Sequence, residues 1–164
     1  MTTSNFLFQT LDAELIVVHA DIGSRKKLLE EMARLLTIPL NRDVDLEEDG
    51  ELTKEKDIYL QLWEREKLGN TGIGNGVALP HSRCPQANKA IVAIITLKSA
   101  VDYDSLDREP VNVAFGLLVP TEATQDHLNL LADIARMMSD NQHKADVADA
   151  VSAQDIIQLI GDWS

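Results

Sequence analysis

The chain has 164 residues and carries 27 acidic against 15 basic side chains, a formal net charge of −12, with a single cysteine. That length fits one domain of ordinary size, and a net-negative surface repels phosphate backbones and anionic lipid headgroups, which argues against nucleic acid and membrane partners. The lone Cys84 forms no internal bridge and residues 1 to 10 lack the basic start of an export signal, so the expectation is a soluble protein of a reducing compartment, the cytoplasm.

Residues 1 to 10, MTTSNFLFQT, read as a flexible start. ELIVVHA at 14 to 20 is apolar and β-branched, suited to a strand or an extended edge. Ser24 then opens a helix in which Leu28, Leu29, Met32, Leu35 and Leu36 form one apolar stripe, Arg25, Lys26, Glu30, Glu31 and Arg34 face water, and Pro39 marks the stop. The acidic run at 41 to 56 reads as a surface loop with Thr53 capping the next helix, about 54 to 68, which buries Ile58, Leu62 and Tyr59 and ends at Gly69 and Asn70.

KAIVAIITL at 89 to 97 and PVNVAFGLLVP at 110 to 120 have the apolar, β-branched density of central strands, and SAVDYDSLDRE between them reads as a polar connection. The longest apolar stretches, such as VAFGLLV at 113 to 119, are too short to span a bilayer. A helix follows from about Thr124 to Ser139 with Leu128, Leu131, Ala135 and Met138 on one side, then two short helices near 142 to 150 and 153 to 161, the second capped by Ser152. Strands and helices interleave without repeats, which predicts a single α/β domain with a sheet covered by helices.

Between helix and strands lies TGIGNGVALPH, residues 71 to 81. Gly72, Gly74 and Gly76 do not match a dinucleotide fingerprint, and no Gly-Lys-Ser/Thr follows to make a nucleotide P-loop. Glycines at alternate positions let main-chain N–H groups approach an anion; a plain glycine-rich turn would show the same pattern. Pro80 lacks an N–H and fixes φ, so it ends the short VAL strand and aims His81 from the rim of the sheet. A neutral imidazole can take a phosphoryl group on one nitrogen while a hydrogen bond to the other fixes the tautomer. His127, in the first turn of the helix from Thr124, and Arg65, in WEREKLG, are the groups that could meet His81 around a phosphate.

Other chemistries fit less well. His81 and Cys84 form H-x-x-C, with Asp126 and His127 as further donors, but a zinc site needs three or four well-spaced ligands. No G-x-S-x-G supports a serine hydrolase. A binding module that never carries phosphate would not need His81.

REKLGNTGIGNGVALPH, followed by VNVAFGLLVPTEATQDHLNLLADIAR, resembles the enzyme IIA domains of the bacterial phosphoenolpyruvate-dependent phosphotransferase system, of the fructose/mannitol type and nearest the nitrogen-regulatory branch. The resemblance spans about 24 to 160. It implies a mixed parallel/antiparallel β-sheet flanked by α-helices. It also implies His81 as phosphoryl acceptor from an HPr-type phosphocarrier, with His127 supporting and Arg65 stabilising charge. Amides of Gly72, Gly74, Asn75 and Gly76 would cradle the phosphate, with no metal or nucleotide cofactor. The recipient would be a regulated protein target or, in the sugar-specific alternative, an enzyme IIB. The sequence departs from that pattern in a longer acidic link at 41 to 56 and in Ser82, where glycine is common.

Overall fold

A computed structural model describes residues 3–42, 44 and 50–163, with side chains from residue 6 onward apart from those gaps. Six strands, β1 Ile16–Ala20, β2 Gly72–Gly74, β3 Val77–Ala78, β4 His81–Cys84, β5 Ile91–Val101 and β6 Val111–Pro120, form one sheet in the order β1-β5-β6-β3-β2, with β4 also on β6. The β5–β6 and β2–β3 pairs are antiparallel; β1–β5, β3–β6 and β4–β6 are parallel. The sheet is mixed, as the resemblance implied.

Strand alternation divides the core into two layers. Ile91, Ala93 and Ile95 of β5, with Ala114 and Leu118 of β6, pack under α2 (Arg25–Arg42) and α3 (Glu55–Leu68). Val92 and Ile94, with Val113, Phe115 and Leu117, face the opposite cluster, which holds α1 (Thr3–Thr10), α4 (Gln125–Ser139), α5 (Asn141–Asp149) and α6 (Ala153–Gly161). A side chain at Gly116 would collide with Met32, so the missing Cβ sets how closely α2 lies on the sheet.

The leucine stripe of α2 is fully buried as expected, but two other expectations there are corrected. Pro39 lies inside α2, which continues to Arg42. The bond lost at its missing N–H falls near the helix end, where Arg42 is held to Glu14 at 2.8 Å and Asp12 at 3.2 Å. Thr53 caps nothing: Lys54 is the N-cap of α3, while Thr53 N–H donates to Asn41 Oδ1 at 2.7 Å and Asn41 Nδ2 donates to Thr53 O at 2.9 Å. Most of the acidic run between them, 43 and 45–49, lies outside the described residues. Gly69 ends α3 with extended backbone, φ 169°, so no left-handed cap is used.

Residues 3 to 10 form α1 where a flexible start was expected, because Leu7 (1% exposed) belongs to the core cluster that also holds Phe115 and Ile156. Ser152 caps α6 by accepting from Asp155 N–H at 3.1 Å, as expected. On α4, Met138 is buried as expected, but its buried neighbours are Leu130, Ile134 and Met137, while Leu128 is exposed and Leu131 half-buried. No helix among the described residues is long and apolar enough to cross a membrane.

Candidate functional site

His81 stands at a strand end, as the first residue of β4. β3 and β4 run along the same side of β6, interrupted at Leu79-Pro80: Val77 lies opposite Val113, and pairing resumes with His81 opposite Leu117 after Leu117 N–H bonds to Pro80 O at 3.0 Å. Proline cannot donate to a ladder, so the interruption falls where the sequence places it. His81 thereby opens β4, beside a hollow of about 720 Å³ lined by Leu60, Gln61, Glu64, Arg65 and Leu68 of α3, Leu128 and Leu131 of α4, and Val119 of β6. The two leucines read from sequence as core of α4 are walls of this hollow.

The ring is half-buried, and its Nδ1 sits 2.7 Å from Leu79 O. A carbonyl only accepts, so Nδ1 carries the proton and Nε2 keeps its lone pair. Burial, and then the positive charge of Arg65, push the imidazolium pKa below its ordinary value; the Leu79 carbonyl and Glu66 pull the other way without reversing the direction. His81 is therefore a neutral imidazole near pH 7.

Arg65 is brought to this hollow as expected. Its Nη1 donates to Gly69 O at 2.8 Å, satisfying a carbonyl just past the end of α3, and the guanidinium's other donors remain for a ligand. Arg65 and Lys67 also place positive charge on the negative end of the α3 dipole. Arg83, which sequence reading did not single out, also borders the hollow two residues beyond His81 and donates to Thr121 O at 2.8 Å. Strand alternation puts residues 81 and 83 on one face, a signal that was available.

The remaining predicted site residues are elsewhere. Asn75 and Gly76 have φ of 58° and 76°, the pair of left-handed residues that closes a tight hairpin between β2 and β3. Gly76 O accepts from Asn112 and Val113 while Pro80 O meets Leu117, so the turn lies about five residues, roughly 16 Å, along β6 from the histidine. Gly72 packs against Ser105 and Gly74 against Asp107. None of Gly72, Gly74, Asn75 and Gly76 lines the hollow, and the expectation of a glycine cradle is corrected: the glycines serve a hairpin.

His127 borders a different hollow, with Phe6, Gln9 and Lys89, its ring 6.3 Å from that of Phe6. Its Nδ1 accepts from Thr124 N–H at 3.1 Å, an N-terminal cap that leaves the proton on Nε2. The structure does not bring His127 and His81 to one hollow. Cys84 is buried and donates to Gln86 Oε1 at 3.2 Å; no group of three potential ligands for a metal occurs among the described residues.

Sequence reading also missed Arg25, Glu66, Thr71 and Tyr103. Arg25, expected to face water, bonds to Glu66 at 2.9 Å and lies over the rings of Trp63 and Tyr103 at 5.3 and 5.0 Å. Tyr103, expected in a polar connection, is fully buried. The alternation V-D-Y-D-S at 101 to 105 carried that signal, one face in and one out.

With this geometry in view, residues 9–163 match the family model "Phosphoenolpyruvate-dependent sugar phosphotransferase system, EIIA 2". The chain is 39% identical over 160 residues to a nitrogen regulatory protein of Pseudomonas aeruginosa, covering 95% of both. It superposes on nitrogen regulatory protein IIA-Ntr of Neisseria meningitidis with a TM-score of 0.84 at 32% identity, covering 94% of this chain and 99% of that one. The IIA mannitol protein of Escherichia coli shares the fold alone, with a TM-score of 0.69 at 16% identity over 92% of this chain and 98% of that one.

Proposed function

Because this chain belongs to the EIIA 2 family of the phosphoenolpyruvate-dependent sugar phosphotransferase system, we propose that it is a phosphohistidine carrier, loaded on His81 by an HPr-type protein and acting chiefly as a regulatory, nitrogen-class component in the cytoplasm. The observation that carries this reading is the Nδ1–H bond to Leu79 O, which leaves an unprotonated Nε2 at an open hollow beside Arg65. The regulatory role rests on similarity to nitrogen regulatory proteins.

In the transfer, the P–N bond to the donor imidazole breaks with its electron pair returning to that ring, and a new P–N bond forms on His81 Nε2. The proton on His81 Nδ1 stays there, hydrogen-bonded to Leu79 O. Phosphoryl transfer has a loose transition state, so alignment and charge stabilisation dominate, and Arg65 and Arg83 supply donors for the equatorial oxygens. Exposed Leu60, Leu68 and Leu128 around the hollow give a donor an apolar rim to dock on. A supporting part for His127 requires the first turn of α4 to release its ring from Thr124.

Incubation with phosphoenolpyruvate, enzyme I and an HPr-type carrier tests this by intact mass. Wild type should gain one acid-labile phosphoryl group, His81→Ala none, and His127→Ala should label more slowly. Equal labelling of wild type and His81→Ala would remove the acceptor; unchanged labelling of His127→Ala would remove that histidine from the site.

A further inference from the structure

Glu66 is 4% exposed and surrounded by donors. Its carboxylate takes Arg25 Nη2 at 2.9 Å, Thr71 N–H at 3.0 Å and Tyr103 OH at 2.6 Å, and a short bond from Thr71 Oγ1. Four donors, two on each oxygen, converge on this carboxylate. Tyr103 keeps its proton at any ordinary pH, because burial and then the Glu66 charge raise its pKa far above the usual phenol range. None of this lines the hollow, and a buried ion pair is weak evidence for stability, since well-packed apolar residues often serve as well.

The network has a different outlet. Thr71, gripped by Glu66 through both its N–H and its hydroxyl, offers its own carbonyl to Leu79 N–H at 2.9 Å. The Leu79 carbonyl then accepts from His81 Nδ1 at 2.7 Å. Thr71 sits between Gly69 and Gly72, in a stretch whose glycines give it little stiffness of its own, and Leu79 precedes Pro80, which contributes no N–H to fix that peptide. Glu66 supplies the stiffness both lack.

We propose that Glu66 is a positioning residue for His81, fixing the acceptor ring in its Nδ1–H tautomer through the braced backbone of Thr71 and Leu79. The inference rests on His81 as the acceptor and adds to that reading a residue that never touches the phosphate. The path crosses saturated Cα atoms, so the effect is one of placement; what Glu66 controls is where the Leu79 carbonyl points, and hence which ring nitrogen is left bare. Loss of sub-ångström placement at a reacting atom is enough to slow a transfer of this kind.

The test reads the ring directly. Two-bond proton–nitrogen NMR of the full chain with ¹⁵N-labelled histidine, at pH 8, should show His81 of wild type almost wholly as the Nδ1–H tautomer. Glu66→Gln, which cannot accept from all four donors, should show a substantial Nε2–H population and load from the HPr-type carrier at least about tenfold more slowly, with the carrier KM unchanged. Thr71→Val, which keeps the N–H and removes only the hydroxyl, should move both readouts in the same direction by less, and it decides the matter if Glu66→Gln does not fold. A wild-type tautomer ratio in a folded variant of either kind overturns the proposal. A tautomer shift in a protein whose wild type takes no phosphate would leave the brace standing and remove the acceptor reading instead.

Discussion

At the scale of single residues, reactivity follows from which atoms are already occupied. Among the described residues, His81 Nδ1 is bound to a carbonyl and its Nε2 is not; Arg65 has one nitrogen bound to Gly69 O and the rest of its fork without a partner; His127 Nδ1 is bound to a backbone amide. The Arg65 anchor depends on a planar guanidinium that can bond Gly69 and a phosphate together, which an ammonium does less well. Arg65→Lys should therefore slow loading of His81 by roughly tenfold while leaving the melting temperature within a degree or two, as measured by rapid-quench labelling and calorimetry. A loading rate equal to wild type would show that charge alone suffices there. Arg65 and His81 were both legible in the sequence because their spacing matches a family pattern. Glu66 and Tyr103 were not, since their partnership joins positions 37 apart through a fold that no local periodicity encodes.

At the scale of elements, the segment 71 to 84 combines two devices that look like one in sequence. Its glycines close a hairpin and its proline separates β3 from β4, and the two lie at different ends of β6. Gly76→Ala puts a side chain on a backbone of φ 76° and within 2.9 Å of Lys144 Nζ and 3.1 Å of Asn112 Oδ1. The left-handed conformation costs an ordinary residue about 1–2 kcal/mol, so the variant should melt about 3–6 °C lower. Loading of His81 should stay within about twofold of wild type; a collapse of loading with little loss of stability would return the glycines to the phosphate site. The helices α2, α5 and α6 and the two central strands were legible because their apolar spacing repeats over enough residues. The face of α4 was not: its apolar residues form two stripes, one for the core and one for the hollow, and periodicity cannot tell which is which.

At the scale of the whole molecule, the sheet separates two cores, and two histidines have a depressed pKa: half-buried His81 at the hollow and buried His143 against Trp163, ring centroids 4.8 Å apart. Burial is the chief cause in both cases. The sign follows from proton counting. Above the unfolded value near 6.5 both states hold neutral rings and this contribution to stability is complete; below it the unfolded chain binds protons first, and stability is lost as pH falls through the folded values. Acidification also relieves the self-repulsion of a chain of net charge −12, which acts in the opposite direction. The measurement that separates them is the urea midpoint of wild type and His143→Gln at pH 8, 6.5 and 5.5. The wild type should lose more between pH 8 and 5.5 than the variant does, and parallel curves would show that His143 does not contribute.

The reciprocal amide bonds between Asn41 and Thr53 act as a clasp at the mouth of the acidic run, so the number of residues threaded between them is uncoupled from the seating of α2 and α3. Doubling the length of chain between two such fixed points adds only about 0.6 kcal/mol of closure entropy. Length at that point is therefore free to drift in evolution, or to be extended after Gly50 to carry a reporter, while the hollow beside His81 keeps its walls.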